Sequence, residues 1–328
     1  MTRLVSVIVP CRNERDHILP FCQSVAAQTV PDGWALEVIV ADGLSDDGTR
    51  DLLTEWCRHD TRFQMIDNPG RIVSCGLNAC IAQSRGEFIV RLDVHTVYAS
   101  DYMAQCLATW QATGADNVGG PWRAQGGQGA DLVVQRAVAA AFQSRLVAGG
   151  ARSRDLAFEG EVDTVYLGSW PRQTFDRFGG FDETLVRNQD DEHNLRIHKG
   201  GGRIWQSARI CSTYVPRASV GDVFRQYRQY GYWKPFVMHK HGQAASIRHL
   251  IPGLFVGALG VLLVLSVLLP GLLGVLAGTL LSLQVLLYVL AVGAISLRIA
   301  RTSGPDLLPY LPAVIAAYHF GYGLGSLR

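Results

Sequence analysis

Between Ile251 and Leu297 the sequence has not one Asp, Glu, Lys or Arg, although 18% of its 328 residues are charged and 48% are hydrophobic. An apolar stretch of that length excludes a wholly water-exposed C-terminal part and points to membrane. A surplus of either charge sign is also lacking. Lys and Arg number 30 against 28 Asp and Glu. Beyond residue 250 only Arg298, Arg301, Arg328 and Asp306 are charged, so the first 249 residues are balanced. That balance excludes the basic footprint expected of a nucleic-acid partner. Lysine occurs only at 199, 234 and 240, a bias that carries no functional weight here. The seven cysteines form no CxxC and no Cys/His group with zinc spacing, and their number is odd. They read as reduced, mostly buried thiols rather than a disulfide framework or a zinc site. The first strand lacks a following GxGxxG, and no GxxxxGK[ST] is present, which excludes the dinucleotide and P-loop fingerprints. The N-terminal apolar run ends at the polar stretch Cys11 to His17, too short for a signal peptide, so the polar part is expected in the cytosol. No internal repeat is evident.

What is present begins with alternating short apolar runs and helical patterns. Leu4–Val9, Leu36–Ala41, Phe63–Ile66 and Phe88–Leu92 have strand character, and Ile18–Gln28, Asp47–Cys57 and Val73–Ser84 have helical spacing. Such alternation predicts an α/β fold with a largely parallel sheet covered on both faces, whose ligand sites lie at the carboxyl ends of the strands. Arg12, Asn13, Asp42 and Asp93 all fall there. The middle is less regular. Gly126 to Gly129 suggests a flexible loop, Asp131–Leu146 a helix, Val162–Leu167 a strand, Arg172–Phe178 a short helix and Asp190–Lys199 a helix with an acidic start. Ile251–Leu269 and Leu272–Leu297 are each long enough to span a bilayer, with Pro270-Gly271 as the turn. Lys234, Lys240 and Arg248 precede them and Arg298 and Arg301 follow, so both flanks are expected in the cytoplasm. Leu307–Leu324, broken by Pro309 and Pro312, reads as a third span or as a helix lying in the interface. The division expected is a cytosolic domain over residues 1–240 and a membrane domain over 241–328.

Four segments carry chemistry. Asp42 to Thr49 (DGLSDDGT) lies between a strand and a helix, where a carboxylate can meet a base or ribose, although a helix cap with turn glycines explains the same letters. Asp93-Val94-His95 can turn a carboxylate and an imidazole toward one divalent ion, or be polar surface. Gln189-Asp190-Asp191-Glu192 packs three like charges whose mutual cost suggests a use, or a solvated helix start. Arg225 to Lys234 mixes cations with aromatics, suited to phosphate or to the headgroup zone.

In order, Val5 to Glu14, Asp42 to Thr49, Asp93 to His95, Gly179 to Glu183 and Gln189 to Glu192 resemble the family 2 glycosyltransferases. Asn188 to Glu192 and His319-Phe320-Gly321-Tyr322-Gly323 resemble in particular membrane-attached members that build succinoglycan and similar exopolysaccharides on a lipid carrier. The resemblance implies a GT-A fold, a nucleotide-sugar donor that is usually UDP-linked, a divalent metal (Mn²⁺ or Mg²⁺) and inversion at the anomeric carbon. It places Pro10, Arg12, Asn13 and Glu14 on the nucleotide loop and Asp42 on the base, with Arg71, Arg228 and Trp233 as further donor contacts. It gives Asp93 to the metal, with His95 where relatives carry a second aspartate. Asp190 falls on the general base, with Asp191 as its alternative. The implied acceptor is a polyprenyl-diphosphate-linked saccharide at the membrane. Two other readings stay open: a synthase that charges polyprenyl phosphate with one sugar, and a non-catalytic membrane-tethered scaffold that binds nucleotide sugar.

Overall fold

In a computed structural model, residues 2–127, 132–147, 149–242 and 246–327 are described. Gln128 and Gly129 of the expected loop, and Asp131 at the start of the expected helix, lie outside them. The elements in chain order are β1 (Arg3–Cys11), α1 (Arg15–Ala26), β2 (Trp34–Asp42), α2 (Thr49–His59), β3 (Phe63–Asp67), α3 (Val73–Gln83), β4 (Phe88–Arg91), β5 (Thr96–Tyr98), α4 (Tyr102–Thr113) and β6 (Asn117–Gly120). There follow α5 (Val133–Gln143), β7 (Gly160–Glu161), β8 (Tyr166–Pro171), α6 (Arg172–Phe178), α7 (Gln189–Lys199), β9 (Ile204–Gln206), β10 (Ser212–Tyr214), α8 (Val220–His241), α9 (Ile251–Leu268), α10 (Gly271–Ser303) and α11 (Leu311–Ser326). The chain forms two compact units, Met1–Arg123 with Arg152–Tyr214, and Ala124–Ala151 with Val215–Arg328.

The first unit is built on an 8-stranded sheet in the order β3-β2-β1-β4-β8-β6-β9-β7. The first four strands are parallel, and β8 joins them to β6 by antiparallel pairing on both sides. Val5, Val7, Ile8 and Val9 of β1 are fully buried, as a central strand covered on both faces requires. Ile8, Ile39, Leu77, Ile89, Trp170, Phe175 and Ile197 form one core cluster on the face that carries α3, α6 and α7. The expected strand Val162–Leu167 is displaced: β7 ends at Glu161 and β8 starts at Tyr166. Leu167 and Gly168 inside β8 both have left-handed backbone (φ 65 and 93), which makes a bulge where the pairing with β6 shifts register. Periodicity alone does not reveal such a bulge.

In the second unit α9 and α10 are long and apolar enough to cross a membrane, and Leu254, Val267, Leu272 and Val275 on them are exposed. At 33 residues, α10 is about 50 Å long, well beyond a hydrocarbon core of about 30 Å. Arg298 and Arg301 lie on its last two turns. The segment expected over Leu307–Leu324 becomes α11, only 16 residues long and too short to span by itself. It is buried at Val314, Ile315, Tyr318, Gly321, Gly323 and Gly325, because it lies along α8 and also packs against α9 and α5. Backbones approach closely there. A Cβ on Gly231 would overlap the Tyr322 carbonyl, and one on Gly325 would overlap that of Arg228. Helix α5 joins this unit through Tyr318, whose hydroxyl donates to the Val138 carbonyl at 3.2 Å, and through the Arg136–Asp306 ion pair at 2.9 Å.

Candidate active site

Parallel pairing aligns the ends of the strands, with Cys11 beside Asp42 and Asp42 beside Asp67. The loops that leave β1 and β2 are therefore neighbours, and their side chains clasp. The Asn13 and Glu14 amides donate to Ser45 Oγ (2.8 Å) and Thr49 Oγ1 (2.9 Å), and the Asn13 side chain and Asp46 exchange two hydrogen bonds of 3.0 and 3.1 Å. Asn13 and Leu44 have positive φ, so both loops turn sharply. Asp42 is fully buried and accepts from the Ser45 amide (3.0 Å), the Ser45 hydroxyl (2.5 Å) and Arg50 (2.6 Å). Its carboxylate is thus engaged in shaping the 43–49 loop, and Arg50 extends the pairing to Asp67 at 2.8 Å. Pro10 pairs in register with Ala41 at the root of the same loops, and Arg12 and Arg71 are exposed beside them. The Asn68 amide ties the Arg71 loop to the Asp42 carbonyl at 2.8 Å.

The turn after β4 is equally fixed. The Tyr98 hydroxyl accepts from the Asp93 amide (2.7 Å) and donates to the Asp93 carbonyl (3.0 Å). Arg91 grips the Asp93 carboxylate through Nε (3.1 Å) and Nη2 (3.3 Å). Thr96 shares a 2.8 Å hydrogen bond with Tyr166, the residue just before the bulge, whose ring stacks on Trp122 at 5.1 Å. His95 Nδ1 lies 3.4 Å from Glu14 Oε1, so the first loop and the Asp93 turn meet. Among the described residues no three His, Cys, Asp or Glu side chains converge as a metal cage. A half-buried Asp93 with His95 and Glu14 alongside suits a cation shared with substrate phosphates, the usual habit of Mg²⁺, rather than an all-protein cage.

The acidic start of α7 sorts into different jobs. Glu192 is fully buried and bonded twice to Arg196, one turn on, at 3.1 and 2.6 Å. Arg196 in turn donates to the carbonyls of Phe178 and Gly180 at 2.5 and 2.8 Å, which anchors the Gly179-Gly180 turn against α7. His193 stacks on Phe175 (5.4 Å) and meets the Gly179 carbonyl at 3.1 Å. Burial first, and then the nearby Arg196 cation, push its pKa down to about 4, so the ring is neutral at pH 7. Asp190 and Asp191 remain half-buried, and Asp190 Oδ1 accepts the Asp191 amide at 2.9 Å in the first helical turn. The helix dipole favours an anion there. Burial works against the charge of Arg91, and the carboxylates of Asp93 and then Asp190 outweigh it.

The first unit thus holds Pro10, Arg12, Asn13, Glu14, Asp42, Arg71, Asp93, His95, Asp190 and Asp191, whereas Arg228 and Trp233 lie on α8 of the second unit. Arg91 was not among the candidates from sequence. Its signal was a charged residue closing the otherwise apolar Phe88-Ile89-Val90 strand, directly before Leu92-Asp93. Cys22, Cys80 and Cys106 act as small buried hydrophobes: burial pushes their pKa up to about 12, far from reactive thiolates.

Residues 6–158 match the profile of Glycosyl transferase family 2. Succinoglycan biosynthesis protein ExoA of Rhizobium meliloti is 31% identical over 248 residues, 75% of this chain and 73% of that protein. A Methanococcus voltae protein, dolichyl N-acetyl-alpha-D-glucosaminyl phosphate 3-beta-D-2,3-diacetamido-2,3-dideoxy-beta-D-glucuronosyltransferase, is 24% identical across 99% of this chain and 97% of its own. Mannosyltransferase PcManGT from Pyrobaculum calidifontis, solved with GDP-Man and Mn²⁺, has a TM-score of 0.62 over 96% of this chain and 86% of that one, at 19% identity. That last likeness is one of fold.

Proposed function

Since the chain belongs to glycosyl transferase family 2 and is a glycosyltransferase of glycan biosynthesis, we propose that it moves a hexose, with inversion, from a UDP-sugar to a lipid-linked saccharide at the cytoplasmic membrane surface. The observation that carries the reading is the gathering of Asp93, gripped by Arg91, the clasped loops and the first turn of α7 in one unit. Asp190 takes the proton from the acceptor hydroxyl while that oxygen attacks C1 of the donor from the face opposite the nucleotide. One base and one displacement invert the anomeric centre. Asp191 orients Asp190 through its amide and stands as the alternative base. Asp93, with His95 and Glu14, would hold a Mn²⁺ or Mg²⁺ ion whose chemistry is to neutralise charge on the leaving diphosphate. Arg12, Asn13 and Arg71 receive the nucleotide, while Asp42 shapes the 43–49 loop that clasps Asn13.

A lipid-linked acceptor is supported by α9 and α10 and by the Methanococcus relative, whose name is that of a transferase acting on a dolichyl phosphate-linked sugar. Cations flank the two apolar helices on both outer sides and the Pro270-Gly271 turn has none, which favours cytoplasmic flanks and a multi-pass arrangement. Arg228 and Trp233, on α8 just before those helices, are proposed as contacts to substrate phosphate near the headgroup zone. The test is nucleotide release from a panel of UDP- and GDP-sugars by the detergent-purified full chain, with Mn²⁺, Mg²⁺ or EDTA, with and without a lipid-linked saccharide extract. Metal-dependent release from one donor, stimulated by the extract, is expected. Binding without turnover under every condition would favour a scaffold, and a product of one sugar on polyprenyl phosphate would favour the synthase.

A further inference from the structure

Successive side chains of a strand alternate between its faces, so Ile89 and Arg91 of β4 share one. Ile89 belongs to the core cluster with Trp170, Phe175 and Ile197 of α7, which puts Arg91 on the face that α7 covers. The first turns of α7 are fixed over the same region. Asn194, one turn after Asp190, accepts from Asn117 at 2.8 Å, Asn117 accepts the Ser169 amide at 3.1 Å, and Ser169 is the register partner of Val90. The Arg91 side chain is only 7% exposed and spends Nε and Nη2 on Asp93. Nη1 is buried and has no hydrogen-bond partner among the described residues. A buried donor left unmade costs about 1–3 kcal/mol, and more when charged. A native protein keeps such a group where it has a use.

We propose that Arg91 is a positioning residue that ties the two acids of the site together, fixing Asp93 through one edge of its guanidinium and offering Nη1 on the side of Asp190. The spacing between the proton acceptor and the diphosphate-binding acid is then set by one rigid fork. This rests on the roles of Asp190 and Asp93 proposed above. A lysine in its place keeps a point charge and loses the fork.

The experiment uses the full chain in detergent, as wild type, Arg91→Lys and Arg91→Met. Turnover is measured beside UDP binding by calorimetry in Mn²⁺ and in EDTA. With Arg91→Lys, turnover falls about 100-fold, the scale of a misplaced reacting group. The tightening of UDP by Mn²⁺ disappears, while the affinity in EDTA and the thermal midpoint stay at wild-type values. If Arg91→Met does not fold, Arg91→Lys alone carries the comparison. Wild-type turnover and wild-type Mn²⁺ response in Arg91→Lys overturn the proposal. Equal weakening in Mn²⁺ and EDTA, with a lowered midpoint, assigns Arg91 to structure and overturns it too. A wild-type chain whose UDP binding ignores Mn²⁺, or an Asp190→Asn chain that still turns over, identifies the functional reading as the part that failed.

Discussion

Glu192→Gln separates the carboxylates at the head of α7 more cleanly than any other change. Glu192 is fully buried, and both of its oxygens are bonded to Arg196, whose side chain is 26% exposed. The amide keeps the shape and removes the charge, so Arg196 loses its counter-ion while still holding the carbonyls of Phe178 and Gly180. Breaking one side of a buried pair costs about 3 kcal/mol. For a unit of this size that lowers the thermal midpoint by about 6–12 °C. Scanning fluorimetry of the detergent-purified protein reads the midpoint, and nucleotide release at a temperature where both proteins are folded reads turnover. The expected result is a clearly less stable enzyme whose turnover stays within about threefold of wild type, since a group that touches no reacting atom gives up little of the 10²–10⁴-fold owed to a proton acceptor. A midpoint within a degree of wild type together with abolished turnover would move the base from Asp190 to Glu192.

Further outcomes follow from the same geometry. His193 stays neutral down to about pH 4 in the fold but takes up a proton near its ordinary value when unfolded. Stability is therefore complete above about pH 6.5 and falls by up to about 3 kcal/mol as pH drops to 4. His193→Phe flattens that part of the midpoint-versus-pH curve, and an unchanged slope would count against a neutral buried imidazole. Gly231→Ala drives a Cβ into the Tyr322 carbonyl and destabilises the α8–α11 pair by about 1–3 kcal/mol in thermal unfolding, whereas Gly260→Ala on α9, with open space around it, is silent. Arg50→Met takes the cation away from Asp42 and Asp67 and weakens UDP binding severalfold in EDTA as well as in Mn²⁺, and unaltered calorimetric affinity would show that the 43–49 loop needs no such clasp.

Much of this was legible in the residues, and the limits have physical causes. The strand and helix succession from Val5 to Asp93 is written in local periodicity, and short connections leave little freedom in how it folds. The Asp93-His95 turn and the α7 acids were visible because charged residues at strand ends and helix starts are conspicuous. What each acid does was not visible. Glu192 is buried against Arg196 whereas Asp190 stays half-buried, and that difference is set by tertiary packing. The strand expected over Val162–Leu167 starts only at Tyr166 and runs on through a left-handed Leu167, a backbone that a leucine seldom adopts without tertiary support. Helix α5 gave no sign that it packs with the C-terminal helices. Nothing in the local pattern of the last apolar segment marks Gly321, Gly323 and Gly325 as the places where its backbone meets those of α8 and α9. Helix α10 outruns its apolar stretch because Arg298 and Arg301 are good helix formers that carry it on to Ser303.

In the function proposed above, Asp190 is the proton acceptor of an inverting transfer. The direct measurement is turnover and UDP affinity of Asp190→Asn in the full chain, at saturating donor and acceptor. Turnover is expected to fall about 10²–10⁴-fold, with UDP affinity and thermal midpoint unchanged. Turnover near the wild-type rate would contradict that role.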